Sequence, residues 1–457
     1  MRLRSRRRCG CGRDFTGCLR AAARDALVCR PVPALACHRS SARENEPEEL
    51  AEQPWAPVEA NLKRMHSSGM DRANHYMDYA ATSAVRPPEV AAAVAEFLRG
   101  NGCTPGRGGH SGATEAARIA FRCRRALARL LGLPGDPGRI AFMHNATHAL
   151  NTALWGLLDE GDVLVISQYD HNAVFRPAHY LAASMGVEVR MLSGSPDGSV
   201  DMDEAVRLLD GARVLVVNVA SNVLGTRMPV EPLAAAARGA GAVVVADAAQ
   251  SAGHLPPSAS PEADVIAFTG HKGLLGPQGT GGLWVREGLE CRSLLCGGTG
   301  GDSRRRRMPK AMPDRLEAGT GNSPGIAGLL AGCRFLAEAG TRAIHAREMA
   351  LKGKLFDGLS GIPGVTMLSP WAPDGVPVVT VKAESMDAAA LAGRLDREHR
   401  VQTRAGLHCA PEVHRILGTA GGGAVRFSLG WASSEEDVEA AVSAVDTILK
   451  PVAVPVP

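Results

Sequence analysis

Val265-Ile266-Ala267-Phe268-Thr269-Gly270-His271-Lys272 begins as an apolar run and ends in small and polar residues. Upstream, Val243-Val244-Val245-Ala246-Asp247-Ala248-Ala249-Gln250 is built the same way. A buried parallel strand reads like this where it delivers side chains to the open end of a sheet. One run delivers a carboxylate, Asp247, and the next an amine, Lys272. Two such strands bring the pair to one crevice. On its own the pair has two readings, a structural ion pair or a reactive site.

The same construction extends in both directions. Strand-like runs occupy 139–143, 163–167, 187–192, 214–219, 242–246, 265–268 and 282–285. Helical runs fall between most of them, at 148–158, 174–185, 202–209 and 230–238. Strands separated by helices imply an α/β fold whose mostly parallel sheet is covered on both faces. The run at 282–285 follows its neighbour with no room for a helix, so it is expected to be antiparallel. Two helices come earlier, at 89–98 and 114–131, the first ended by Gly100, Asn101 and Gly102. Gly297 to Gly301 and the basic run Arg304 to Arg307 read as a mobile loop. A long helix at 323–339 then bridges into a smaller α+β domain. That domain has strands near 378–381 and 424–429 and helices near 386–394 and 435–449. The expected division is an extension at 1–69, a large domain at 70–325, a small C-terminal domain at 326–450 and a tail at 451–457.

Composition narrows the class. Of 457 residues, 45% are hydrophobic and only 4% aromatic, so the core rests on Ala, Val, Leu and Ile. A net charge of +4 gives no case for nucleic acid. The positive charge is uneven, with Arg2, Arg4, Arg6, Arg7 and Arg8 opening the chain. Residues 1–69 hold no persistent period and are expected to be disordered. A tail, an organellar targeting peptide and upstream translated sequence with Met65 or Met70 as the true start all stay open. The 11 cysteines are odd in number and irregular in spacing, which is no disulfide framework. Cys9-Gly10-Cys11 lacks a second pair, so no metal is expected. Free thiols point to a reduced, cytoplasmic setting. No apolar run is long enough to span a membrane.

Ligands of open parallel sheets bind beyond the carboxyl ends of the strands. The first such end is His144-Asn145-Ala146-Thr147, which opens a helix. It reads either as a phosphate site or as an ordinary cap. The second offers His171, for stacking on a flat cofactor or for proton transfer, or as a plain loop histidine. The fourth offers Asn222, a hydrogen-bonding residue or a turn former. The fifth and sixth offer Asp247 and Gln250, then Thr269, His271 and Lys272. An amine and a carboxylate in one crevice suit pyridoxal 5'-phosphate (PLP). The amine forms a Schiff base with its aldehyde and the carboxylate keeps its pyridine nitrogen protonated. Downstream, Gly406 and Pro411 flank Cys409 and place it on a loop. Arg404 and His408 are close enough in sequence to favour its thiolate. The plain alternative is a small buried apolar residue. Arg426 interrupts an apolar run and needs an anion, either an α-carboxylate or a structural partner.

From Met77-Asp78-Tyr79-Ala80-Ala81-Thr82 to about Leu449, the chain resembles the class V aminotransferase group and, within it, the cysteine desulfurases. The most specific pieces are Ser221-Asn222-Val223-Leu224-Gly225-Thr226, Asp247-Ala248-Ala249-Gln250, Gly270-His271-Lys272, Glu317-Ala318-Gly319-Thr320 and Arg404-Ala405-Gly406-Leu407-His408-Cys409. The compact loop around Cys409 is similar to that of the group II, selenocysteine lyase-like enzymes. The resemblance implies the PLP-dependent transferase fold type I and conversion of L-cysteine to L-alanine with a persulfide on Cys409. It makes Lys272 the Schiff-base lysine, Asp247 the partner of the pyridinium and Gln250 the partner of the phenolic oxygen. It stacks His171 on the ring and sets Ala146, Thr147, Thr269 and His271 around the phosphate. Thr320 joins them from the second subunit of a homodimer. Asn222 and Arg426 bind the substrate carboxylate, and a sulfur-acceptor protein takes the sulfur onward. Two other outcomes stay open. One is a selenocysteine lyase or other PLP-dependent β-lyase acting on L-selenocysteine or a relative. The other is a non-catalytic PLP-fold scaffold in sulfur relay. The chain departs from the pattern at Ala146, where relatives often carry threonine, and at Gly321, where proline is common.

Overall fold

The structure, a computed structural model, describes residues 74–106, 108–257, 262–300 and 304–450. The expectations for 1–69 and 451–457 lie outside these described residues. A short strand β1 (His75–Tyr76) opens them. Seven strands then form one sheet: β2 (Ile140–Met143), β3 (Val163–Ser167), β4 (Glu188–Leu192), β5 (Val214–Asn218), β6 (Val243–Asp247), β7 (Val265–Thr269) and β8 (Gly281–Val285). Their order is β2-β8-β7-β6-β5-β3-β4. Strands β3 to β7 run parallel, and β8 runs antiparallel to both β7 and β2.

Every residue of β5, β6, β7 and β8 is buried. Helices cover both faces, so these strands need apolar residues at every position rather than at alternate ones. The helices of this part are α1 (Pro88–Glu96), α2 (Ser111–Leu130), α3 (Ala146–Leu157), α4 (Asn172–Met185), α5 (Met202–Leu208) and α6 (Val230–Gly239). Helix α1 ends in a π-turn at Phe97–Asn101, closed by Gly102 in the left-handed region at φ 58°.

Next come α7 (Ser323–Ala339), α8 (Thr341–Ser360), β9 (Val365–Met367), β10 (Val378–Ala383), α9 (Ala388–His399), β11 (Val401–Gln402), β12 (Arg404–Gly406), α10 (Pro411–Ile416), β13 (Ala424–Ser428) and α11 (Glu435–Leu449). A four-stranded antiparallel sheet in the order β12-β13-β10-β9 backs onto a core that includes Leu355, Val379, Phe427 and Val445. Burying each such side chain is worth about 1.5–3 kcal/mol. Strand β1 pairs in parallel with β11, tying the start of the described chain to the small four-stranded-sheet region.

The sequence pattern anticipates the central strands to within a residue or two. It anticipates neither α8 nor the short strand β12 that precedes the loop of Cys409. The stretch holding Arg304 to Arg307 contains no helix or strand. No helix of the described residues is long and apolar enough to cross a membrane.

Candidate active site

Each parallel strand ends on the same side, and the residues that follow converge. One cavity of about 230 Å³ is lined by Ala146 and Thr147 after β2, His171 after β3, Asn222 after β5, Asp247 and Gln250 after β6, and Thr269, His271 and Lys272 after β7. Arg404 and Arg426 of the four-stranded sheet close it. Ten of the eleven cofactor- and substrate-site positions expected from sequence therefore share one cavity. Thr320 does not reach it within this chain. It lies on a separate cavity wall with His144, His148 and Thr280.

Local chemistry explains each placement. Asn145 caps α3 by accepting from His148 N at 2.9 Å, which leaves Ala146 and Thr147 in the first turn with their backbone N–H groups pointing out. His171 caps α4, its Nδ1 accepting from Ala173 N at 3.0 Å. Burial, with the nearby Lys272 charge, holds its pKa down at about 4, so the ring is neutral with its proton on Nε2. Asp247 is buried at the end of β6 and accepts from Ala249 N at 2.9 Å. Burial raises its pKa, against the pull of that N–H and of Lys272. Burial lowers Lys272 to about 8, more than Asp247 raises it. Gln250 Nε2 donates to Ala80 O at 3.0 Å. His271 Nδ1 lies 3.1 Å from Thr82 Oγ1, and burial lowers its pKa to about 4.

Arg426 is 1% exposed. Its Nη2 meets Asp78 Oδ1 at 2.6 Å and its Nη1 donates to Asn222 O at 3.2 Å, but its Nε has no partner. Asn222 Oδ1 and Thr269 Oγ1 are likewise buried without a partner. Unsatisfied buried polar atoms are costly, and three around one cavity mark a place where a polar ligand completes the bonding.

Cys409 opens onto a neighbouring cavity whose wall shares Thr147, His171 and Ala173 with the first. It sits in a tight turn with His408 and Cys409 at φ 51° and 57°. Two bonds pin this turn to the central sheet. Asn172 N donates to Cys409 O at 2.8 Å, and Asn222 Nδ2 donates to His408 O at 2.8 Å. Arg404 Nη2 lies 3.9 Å from Cys409 Sγ. His408 does not act on the sulfur, contrary to the sequence expectation. Its Nε2 donates to Arg404 O at 3.1 Å and its Nδ1 is 3.1 Å from His414 Nε2, so both ring nitrogens are occupied.

Sequence reasoning missed the role of three polar groups here, the half-buried Asp78 and the buried Asn218 and Asp170. Asp78 carries Arg426 across 348 positions of chain. Asn218 Nδ2 holds Tyr169 O at 2.7 Å, next to the cavity it helps line. Asp170, driven up to about 8 by burial, accepts from Ser167 N at 2.7 Å and fixes the end of β3 before His171. Only Asp170 had a local signal, an acid beside a histidine at a strand end.

The family model for aminotransferase class-V matches residues 75–441. A probable cysteine desulfurase of Pyrococcus abyssi is 31% identical over 391 residues, covering 82% of this chain and 94% of that protein. A cysteine desulfurase of Pectobacterium atrosepticum is 32% identical and covers 86% of this chain and 98% of its own length. The apo structure of cysteine desulfurase from Thermococcus onnurineus NA1 superposes with a TM-score of 0.79 at 30% identity, over 87% of this chain and 99% of that one. The converging strand ends and these matches agree: the chain belongs to the class-V aminotransferase family.

Proposed function

We propose that this protein is a PLP-dependent cysteine desulfurase that converts L-cysteine to L-alanine and keeps the sulfur as a persulfide on Cys409. The observation that carries this reading is the joining of two cavities. Lys272 and Asp247 line one, Cys409 lines the next, and His171 stands in the wall between them.

The first cavity suits the cofactor. The start of α3 offers N–H groups to a phosphate, joined by the free Thr269 hydroxyl and by His271. Only Thr147 supplies a hydroxyl in that turn, since Ala146 has none. A buried carboxylate without a full set of partners favours a cation beside it, so Asp247 suits a protonated ring nitrogen. Gln250 keeps one amide hydrogen for the ring oxygen, and the His171 ring is available for stacking. When bound, PLP supplies an aldehyde that takes up amines and a ring that draws electron density from the substrate Cα.

This chain's residues do the rest. Lys272, with its pKa near 8, is partly neutral at ordinary pH and can carry a proton away from Cα. Arg426, steadied by Asp78, uses its free Nε with the second amide hydrogen of Asn222 to hold the substrate carboxylate. The Cys409 sulfur, faced by the Arg404 guanidinium, attacks the substrate sulfur. The carbon–sulfur bond breaks with its electron pair left on carbon, which a proton completes to alanine. A homodimer in which Thr320 serves the partner's site, a cytoplasmic location, a sulfur-acceptor protein and a division at 70–325 and 326–450 belong to the same proposal.

The test is incubation with PLP and L-cysteine, and with L-selenocysteine alongside, scoring alanine and enzyme persulfide together. Cysteine should yield alanine in step with persulfide. Cys409→Ala should keep the cofactor absorbance and form no persulfide. A protein that stays colourless, or a Cys409→Ala variant with full turnover, would overturn the reading.

A further inference from the structure

Lys272 stands on a turn, 270–276, whose backbone is gripped from two sides. On one side Ser83 Oγ donates to Lys272 O at 2.9 Å. Ser83 N and Thr82 Oγ1 donate to His271 O at 2.9 and 3.2 Å. On the other side lies the turn 248–255, which follows Asp247 and carries Gln250. The two turns touch backbone to backbone. A Cβ on Gly273 would lie 2.5 Å from Ala252 O and 2.6 Å from His254 Cδ2, and a Cβ on Gly253 would strike Gly273 O. The His254 ring is thus the floor beneath the residue that follows Lys272.

That ring is held from outside both turns. His254 Nδ1 lies 2.9 Å from Glu348 Oε2 of α8, and the two residues are 5% and 1% exposed. Further along α8, Leu351, Leu355 and Leu359 join the core behind the four-stranded sheet. Burial pulls the His254 pKa down, Glu348 pushes it up further, and it ends above the ordinary value. Desolvation offsets most of the attraction within a buried ion pair, so such a pair adds little stability over apolar residues of the same size. What this one fixes is the angle of the ring against Gly273.

We infer that Glu348 positions Lys272 through His254: the carboxylate holds the ring, the ring seats the 270–276 turn, and the seat keeps the amine out of water. Neither His254 nor Glu348 lines the cofactor cavity, so both are positioning residues. The inference rests on the reading of Lys272 as the amine that takes up PLP. The charges facing that amine are Asp247, Arg404, Arg426 and Asp78, and the His171 and His271 rings feel it in turn. All six stay in place in every variant below.

The experiment follows two readouts in the full-length, cofactor-free protein, the pH midpoint of PLP uptake and amide exchange at 270–276. Glu348→Met removes the anchor and fills its space. Lys272 should then gain water, and the uptake midpoint should rise by about one pH unit from its wild-type place near 8. Exchange at 270–276 should quicken about tenfold while β5 changes less. The double variant His254→Leu/Glu348→Met leaves no polar group unpaired, which secures folding, and should shift the midpoint as far. Glu348→Gln keeps an oxygen for the ring and should restore both readouts. Lys352→Met, which removes the other buried charge of α8, should leave the uptake midpoint where it is. A midpoint unmoved in the single and double variants would make the pair purely structural and overturn the inference. So would a Gln variant shifted as far as the Met one, which would assign the effect to charge rather than position. An equal shift in Lys352→Met would trace it to a loosened α8, with the same result. Wild-type protein that takes up no PLP at any pH would instead sink the cofactor reading.

Discussion

Lys272 shows how far a setting can move a residue. Burial outweighs the pull of Asp247 and brings the amine to about 8 from the 10.5 of a free lysine. The neutral amine is the form that attacks an aldehyde. Uptake of PLP by cofactor-free protein should therefore rise with pH and reach half its plateau near pH 8, followed by the visible absorbance. Asp247→Asn should move that midpoint lower, because the carboxylate raises the lysine. A midpoint near 10 in either protein would show that burial does not control the amine. Lys272 and Asp247 are legible in sequence because Asp247 ends, and Lys272 closely follows, an unbroken apolar strand. The Asp78–Arg426 pair is not, since no local spacing reveals partners 348 positions apart. His408 misleads for the opposite reason. It adjoins Cys409 in sequence, yet the backbone turn aims its ring away.

The turn between β12 and α10 works as an element because its hydrogen bonds run one way. Arg404 O can only accept, so His408 Nε2 carries the proton and His408 Nδ1 accepts from His414 Nε2. His414 Nδ1 then accepts from the Thr419 hydroxyl at 2.8 Å. Burial holds His408 down at about 3 and His414 at about 4. An unfolded histidine titrates at about 6.5. Between these values the unfolded chain binds more protons, so this contribution is complete above pH 6.5 and is lost as pH falls toward 4 and then 3. His414→Leu should flatten part of that acid loss, seen by comparing urea midpoints at pH 7 and 4.5. At pH 7 it should cost about 1–3 kcal/mol, because His408 Nδ1 is left buried and unpaired. Helix α8 eluded sequence reading for a related reason. Its buried face includes Glu348 and Lys352, which break the apolar period. Glu348 is satisfied by His254 at 2.9 Å, and Lys352 by Val376 O at 3.1 Å. Strands β1, β11 and β12, of two or three residues, are too short for any period to show.

Across the molecule, the two sheets meet at the turn carrying Asn222. Ser369 and Thr380 both donate to Val223 O, at 3.1 and 2.6 Å, and Val376 N donates to Gly225 O at 2.9 Å. The approach is close enough that a Cβ at Gly225 would lie 2.7 Å from Val378 O. Thr380→Val should cost about 1–3 kcal/mol in urea unfolding. It should also raise KM for cysteine, because Asn222 and Arg426 come from opposite sides of this contact; an unchanged KM would make the contact purely structural. The two carbonyls that anchor Cys409 answer to different donors, Asn172 following β3 and Asn222 following β5. Inserting a residue between His408 and Cys409, or deleting either, would pull at least one carbonyl off its donor. Natural variation in this stretch is thus free to change what the side chains are but not how many there are. Anyone transplanting the turn into another scaffold must keep its count.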